Sequence, residues 1–396
     1  MFEPRYRIDA MKAMPDCNAM SDDAFRQEAR AFFEAEYPPQ LRNILRRARW
    51  AEMKEWWGKL YRKGWVAPGW PREWGGMELN AAKMLIYMEE IERFGIARPP
   101  DQGVTQVGPI LMRYGTREQK EYYLPRSLSG EFIWCQGYSE PNAGSDLASL
   151  QTAAVIEGDE IVINGQKIWT SLAHDATHIY VLVRTDKAAK KKQLGISMVL
   201  AATNTPGITI RPIRNIAGHS EFCEVFFDNV RVPRANLVGK PNEGWTIAKA
   251  LLSYERLSIG SPRRPAYALR RIELIARTKG LFADSGFADR YDALALDIQD
   301  LGSLYGRFVE QVKRGEPLGE DISMLKIWTT ETTQRVNDLL LEIGAEDGVL
   351  AGVRDIDGVE ADTLSSYYYA RPGTIVGGSS EVQRNILARY VLRLPT

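Results

Sequence analysis

The apolar residues of this chain change their period twice. From Ser21 to about Gly130 they recur every three to four positions, the spacing of helices with one buried face. In Ala81 to Phe94 (AAKMLIYMEEIERF), Met84, Tyr87, Met88 and Ile91 form one stripe. Gly95 follows, where a helix C-terminus favours glycine. Thr116 and Gln119 predict a capping box that opens another helix. Between helices, Trp65 to Gly76 (WVAPGWPREWGG) predicts an ordered loop, because its tryptophans need partners.

From Trp134 to Val238 the pattern becomes that of strands. TAAVIE, EIVI and QKIWTS predict a meander with tight turns at Gly158-Asp159 and Asn164-Gly165. HIYVLVR, GISMVLAA, GITIRPI and EVFFDNVRV predict further strands. Asp186 to Lys192 (DKAAKKK) reads as a solvated turn. From Glu243 onward the helical period returns, with Ile322, Leu325, Trp328, Thr332, Val336, Leu339 and Ile343 on one stripe. This order predicts an α+β fold, mostly α, with a sheet domain inserted between helical ones: residues 1–132, 133–240 and 241–396. No strand leads into a GxGxxG turn, which argues against a Rossmann dinucleotide site.

Composition narrows the function classes. Lys plus Arg and Asp plus Glu balance at 51 each over 396 residues. No net positive charge is present to hold a polyanion, so nucleic acid is not the expected partner. Cys17, Cys135 and Cys223 form neither a disulfide framework nor a zinc pattern. The N-terminus lacks a signal-peptide core and no apolar run reaches membrane-spanning length, so a cytoplasmic protein is expected. His174 and His178 lie at a strand edge, where i, i+4 spacing does not converge, and no metal is expected.

The chemistry concentrates at Trp134 to Ser149 (WCQGYSEPNAGSDLAS), where the helical zone meets the first strands. Pro141, Asn142, Ala143 and Gly144 cannot continue a helix, and Ser139 and Ser145 add hydroxyls. Such a turn suits a ligand with many acceptors, a flavin edge or a diphosphate. Downstream, Trp169-Thr170-Ser171 sets an indole beside two hydroxyls. A Gly-rich connection beside a core tryptophan explains the same residues equally well on local chemistry. Trp65, Trp70 and Trp74 read as packing aromatics.

Four stretches, YSEPNAGSD, INGQKIWTS, GTREQKEYYLP and GGSSEVQRNILAR, resemble the acyl-CoA dehydrogenase signatures in order and separation. The resemblance covers about Ser21 to Pro395. It implies an N-terminal helical domain, a middle β-barrel-like domain and a C-terminal four-helix bundle. It also implies FAD, an acyl-CoA substrate, a tetramer and an electron-transfer flavoprotein as acceptor. By position, Gln136, Tyr138, Ser139, Ser145, Trp169, Thr170 and Ser171 match flavin contacts, and Ser145 also matches a residue at the acyl-CoA entrance. Ser379 and Glu381, opening the last helix, match further FAD contacts.

Dehydrogenation of a thioester needs a carboxylate that takes the α proton. Many members carry it in a YEGTS-like turn before the last helix. Here Ile375 to Ser380 reads IVGGSS, and Gly377 occupies the glutamate's place. The isovaleryl and long-chain branches carry the base on an early helix of the bundle instead. Ser253-Tyr254-Glu255-Arg256-Leu257 resembles that motif. Ala248, Leu251, Leu252, Glu255 and Ile259 share one helix face, which places the carboxylate on an apolar stripe where its pKa rises. The resemblance implies Glu255 as base and Arg256 on the substrate side. It leaves the Gly377 amide as donor to the thioester carbonyl.

Two departures stand out. RTKGLFADSG (277–286) and LEIGAEDG (341–348) replace the RxxFG-like and QxxGGxG-like stretches that contact FAD across subunits in homotetramers. A heterotetramer with a related subunit is therefore an alternative to a homotetramer. A flavin monooxygenase or desulfinase on the same scaffold, and a non-catalytic partner subunit, also stay open. Acyl chain length, branching and ring structure are not readable.

Overall fold

The computed structural model describes residues 15–44 and 46–395, apart from the side chains of residues 251–256 and 258. The chain divides into two units, Met1–Leu251 and Leu252–Thr396.

The first unit begins with helices α1 (Asp22–Glu36), α2 (Trp50–Lys63), α3 (Ala81–Phe94), α4 (Gly108–Tyr114) and α5 (Arg117–Ser129). Their ends follow local chemistry. Ser21 Oγ accepts from Ala24 N at 3.2 Å, satisfying a free donor of the first turn. The Thr116–Gln119 capping box forms as predicted. Gly95 closes α3 at φ 72°, a left-handed cap. Phe25, Phe33, Trp56, Trp65 and Tyr87 fill the space between these helices. The predicted loop is ordered, with Trp70 Nε1 donating to Val104 O at 2.8 Å. Glu90 is buried but accepts from Arg26, Arg30 and Arg93 at 2.7–2.8 Å, so its charge is paired.

The sheet follows, with strands β1 (Trp134–Gly137), β2 (Ala153–Glu157), β3 (Glu160–Ser171), β4 (His178–Arg184), β5 (Ile196–Ala202), β6 (Ile208–Ile213), β7 (Phe222–Pro233) and β8 (Leu237–Val238). Their order is β6-β7-β3-β2-β4-β5-β8, and β1 pairs with β4 in parallel. The period-2 rule is clear on β4. Ile179, Val181 and Val183 enter the core between the strands, while Tyr180 and Leu182 pack on the helical side. A strand buried on both faces reads as a continuous apolar run, as HIYVLVR does.

One expected turn is absent. Asn164-Gly165 lies inside β3, which runs unbroken from Glu160 to Ser171. The pairing with β7 shifts register between Ile163 and Gly165 instead, which marks a bulge. Gly165 has φ 150°, and a Cβ there would meet Thr152 Cα at 2.6 Å. The glycine serves close approach and strand curvature, not chain reversal.

Helix α6 (Gly244–Ile259) spans the division between the units. The second unit continues with α7 (Arg263–Lys279), α8 (Ser285–Lys313), α9 (Ser323–Ile343), α10 (Ala345–Gly348), a hairpin of β9 (Arg354–Ile356) and β10 (Val359–Ala361), α11 (Thr363–Ala370) and α12 (Ser380–Ile386). The predicted α9 stripe buries Leu325, Thr332, Val336, Leu339 and Ile343. No helix among the described residues is long and apolar enough to cross a membrane.

Candidate active site

Two stretches of the first unit come side by side at the ends of β1 and β3. Along β1 and its exit, Cys135 and Gly137 face the strands, where a Cβ on Gly137 would touch Ile179 Cδ1 at 3.0 Å. Trp134 and Tyr138 take the opposite parity and join the helical core. The Tyr138 ring lies edge-on to Tyr180, 5.8 Å between centroids. Gln136 shares this parity, and its Nε2 is buried without a hydrogen-bond partner among the described residues.

The chain then turns at Glu140–Ala143, closed by Glu140 N to Ala143 O at 3.1 Å and Ala143 N to Glu140 O at 3.0 Å. Ser139 is half-buried and Ser145 is exposed. Ile168 N donates to Ser139 O at 2.9 Å, which ties the turn to β3. Beneath it lies a buried ion pair, Lys167 Nζ to Glu140 Oε1 at 2.8 Å. Burial depresses the Lys167 ammonium to about 8, against the pull of Glu140. Burial pushes the Glu140 carboxyl up, but Lys167 and the bonds from Thr152 and Gln151 outweigh it and hold it below the usual carboxylate range. Both groups are therefore ionised at neutral pH.

A second bulge of β3 follows at once, between Lys167 and Thr170. Trp169 takes φ 60° in it, a left-handed conformation rare for a bulky residue. The indole is turned outward, 56% exposed, with Phe222 edge-on at 6.0 Å. Thr170 points inward, and its Oγ1 is buried with no hydrogen-bond partner among the described residues. Ser171 is half-buried and pairs with Phe222 on β7. A buried polar atom left unsatisfied is destabilising, so Gln136 Nε2 and Thr170 Oγ1 each call for an explanation. The Gln136 amide, the Thr170 hydroxyl and an outward indole suit a planar heteroaromatic group with polar edges.

In the second unit, Gly377 and Gly378 adopt φ 66° and 87°, and Gly377 is exposed. A Cβ on Gly377 would meet Ile259 Cδ1 at 3.1 Å, so a glutamate there would be both strained and crowded. Ser379 caps α12, its Oγ accepting from Val382 N at 3.3 Å. Glu381 is exposed in the first turn, its carboxyl lowered by its own backbone N–H and by the Ser379 hydroxyl. Lys326 and Ser380 are buried on α9 and α12, and neither side chain has a hydrogen-bond partner among the described residues. Glu255 and Arg256 lie on α6, and their side chains fall outside the described residues.

The histidines play other parts. His174 Nδ1 lies 3.0 Å from Cys223 Sγ. His178 packs against the Phe132 ring at 3.8 Å, and burial lowers its pKa to about 4. No group of three or more potential ligands for a metal occurs among the described residues. Sequence motifs alone do not single out Lys167, Glu140 or Lys326.

The chain is thus a sheet domain between helical segments, with a tied polar turn and an outward indole at one edge of the sheet. Sequence models of the acyl-CoA dehydrogenase N-terminal, middle and C-terminal domains match residues 20–131, 135–230 and 242–392. An acyl-CoA dehydrogenase of Mycobacterium tuberculosis, IpdE1, is 37% identical over 355 residues, 87% of this chain and 88% of the relative. A solved structure named the Tcur3481-Tcur3483 steroid ACAD superposes with TM-score 0.86 at 31% identity, over 94% of this chain and 97% of that one. The ChsE4-ChsE5 complex of M. tuberculosis gives TM-score 0.76 at 31% identity, over 95% and 98%. The chain belongs to the acyl-CoA dehydrogenase family. Its members are FAD-dependent flavoproteins, and this chain is an oxidoreductase of that kind.

Proposed function

We propose that the chain converts an acyl-CoA thioester to the 2-enoyl-CoA, with Glu255 as the base for the α proton. The observation that carries the cofactor half of this reading is the pair of buried, unpartnered groups, Gln136 Nε2 and Thr170 Oγ1, on two segments that the Ile168 N–Ser139 O bond ties together, with Trp169 outward beside Thr170. With Tyr138, Ser139, Ser145 and Ser171, these residues would hold FAD. By the same resemblance, Ser379 and Glu381 match further FAD contacts. FAD, when bound, supplies the two-electron acceptor, taking the β hydrogen as hydride at flavin N5.

The chain's own residues do the rest. Glu255 accepts the α proton as the general base. The Gly377 amide donates to the thioester carbonyl, which stabilises the negative charge that develops there. Ser145 and Arg256 orient the CoA ester. The left-handed Gly377 supports this division of labour, because the position usually occupied by the base is here shaped for glycine.

Glu255→Gln tests the assignment. It should retain FAD and bind acyl-CoA yet fail to bleach the flavin anaerobically. Bleaching at the wild-type rate would remove Glu255 from the role. A panel of acyl-CoA esters in the same assay would identify the acyl group. The likeness to the steroid ACAD favours a bulky, ring-bearing acyl chain as the first to try. An electron-transfer flavoprotein is the expected acceptor, and rapid oxygen consumption by the reduced enzyme would favour a monooxygenase instead.

A second reading concerns assembly. The second unit exposes Val353, Ile375, Tyr390, Leu392 and Leu394, side chains that an interface with another subunit would cover. Two similar structures are named for two chains each. A related subunit that completes a heterotetramer fits these observations and the replaced interface stretches. Full FAD occupancy in a tetramer of this chain alone would remove the need for it.

A further inference from the structure

Behind the exposed edge of the first unit lies a device that no flavin contact explains. Three consecutive residues of the turn are tied to two consecutive residues of β3. Tyr138 O accepts from Lys167 Nζ at 3.1 Å, and Ser139 O accepts from Ile168 N at 2.9 Å. The Glu140 carboxylate accepts from Lys167 Nζ at 2.8 Å. That carboxylate also accepts from Gln151 N at 2.6 Å and Thr152 N at 2.8 Å, so it closes the far side of the turn. Thr152 in turn packs on β3, its Oγ1 donating to Gln166 O at 3.3 Å.

Placement along β3 gives these bonds their consequence. Lys167 is the last residue in register with β7 before the bulge, and Thr170 is the first after it. Trp169 occupies the bulge in a conformation that its own side chain disfavours. A strained residue persists only where its surroundings over-determine it. Lys167 is fully buried and Glu140 nearly so, and an ammonium in that setting tolerates little displacement from its carboxylate. The pair therefore fixes the end of the regular strand from which the bulge springs.

We infer that the Lys167–Glu140 pair is a positioning element that locks the 138–146 turn and the Trp169 bulge into one mutual register, so that both present a preformed face to the flavin. This inference rests on the FAD reading above. Neither Lys167 nor Glu140 touches the cofactor in this scheme; both act through Tyr138, Ser139 and Trp169.

The test uses the full chain, stripped of flavin and titrated with FAD. Lys167→Met and Glu140→Gln should each raise the FAD dissociation constant about tenfold or more, the worth of a charge-assisted bond. Each should also shift the visible band of whatever flavin remains bound. A K167M/E140Q double variant buries no unpaired charge and guards against misfolding of the single variants. It should show the same loss. Glu90→Gln, which disrupts the buried Glu90 network among the N-terminal helices, is the control for general destabilisation. It should lower the melting temperature while leaving FAD affinity and band shape unchanged. Wild-type affinity and spectrum in the double variant, or an equal shift in E90Q, overturns the inference while the FAD reading stands. A wild-type chain that takes up no FAD either alone or together with a related partner subunit overturns both.

Discussion

Lys167 in the first unit and Lys326 in the second are both fully buried, and burial depresses both ammonium groups to about 8. Their surroundings differ. Lys167 donates to a carboxylate and a carbonyl within 3.1 Å. Lys326 has no hydrogen-bond partner among the described residues and only the longer-range pull of Glu381 and Glu331. A buried ion pair with its remaining bonds satisfied contributes little net stability but punishes every rearrangement that breaks it. A buried charge without a bond is a net burden at its position. The first arrangement suits a place where geometry must be exact. The second leaves a charge that no group among the described residues bonds.

The largest effect should come from breaking the pair on one side. Glu140→Gln leaves the Lys167 charge buried without its counter-ion, and about 3–5 kcal/mol of stability should disappear in urea unfolding. A loss under about 1 kcal/mol would mean that the two groups are not tightly coupled.

The same logic reverses sign at Lys326. Replacement by methionine keeps most of the volume and removes an unbonded charge, so Lys326→Met should stabilise the protein by about 1–3 kcal/mol at pH 7. The pH dependence follows from the depressed pKa. Below about pH 8 both folded and unfolded chains carry the proton, and the burden of burial is fully present. Between about 8 and the unfolded value of about 10.4, the unfolded chain holds the proton that the folded chain has released. Wild-type stability therefore rises through that window relative to the variant. The advantage of K326M should be greatest below pH 8 and fade above about pH 10.4. An advantage that stays constant from pH 7 to 10.5 would show that the ammonium is not the cause.

Much of the first unit was legible because its signals are local. The Gly95 cap, the Thr116 capping box and the β4 run each follow from a short window of sequence. The α3 stripe does not: of Met84, Tyr87, Met88 and Ile91 only Tyr87 is buried, and the buried face is Lys83, Ile86, Tyr87, Glu90 and Phe94, because the paired charges of Lys83 and Glu90 can be taken inside. The turn at 140–143 and the indole at 169 were legible as candidate chemistry. Asn164-Gly165 misled because the same dipeptide serves a hairpin or a bulge, and only the register against β7 decides. The outward direction of Trp169 was hidden for a related reason. Strict alternation places Trp169 on the Lys167 side of β3, facing inward, and the bulge reverses it. The Lys167–Glu140 pair joins residues far apart in sequence, and nothing in either window names the other.

A smaller effect separates the rim of this edge from the pair behind it. Thr170→Val removes a buried hydroxyl that has no bond to lose. It should leave stability unchanged or raise it by up to about 1 kcal/mol. FAD affinity should nevertheless fall severalfold if that hydroxyl serves the cofactor. A clear loss of stability would mean that the hydroxyl is bonded within the fold. Glu140→Gln thus lowers stability and FAD affinity together, whereas Thr170→Val lowers affinity alone.

The smallest effect calibrates the comparison. Arg290 and Glu342 form a bidentate pair on the surface of the second unit, at 2.6 and 2.7 Å. These bonds are as short as those of Lys167, yet both side chains are exposed. Water solvates each partner when the other is removed, so no desolvated charge is left behind. Arg290→Ala should change stability by no more than about 0.5 kcal/mol, and salt should reduce even that. If R290A matched E140Q in its effect, bond length would govern the energetics of these pairs and burial would not. Burial would then no longer explain why Lys167 needs its partner and Lys326 is a burden.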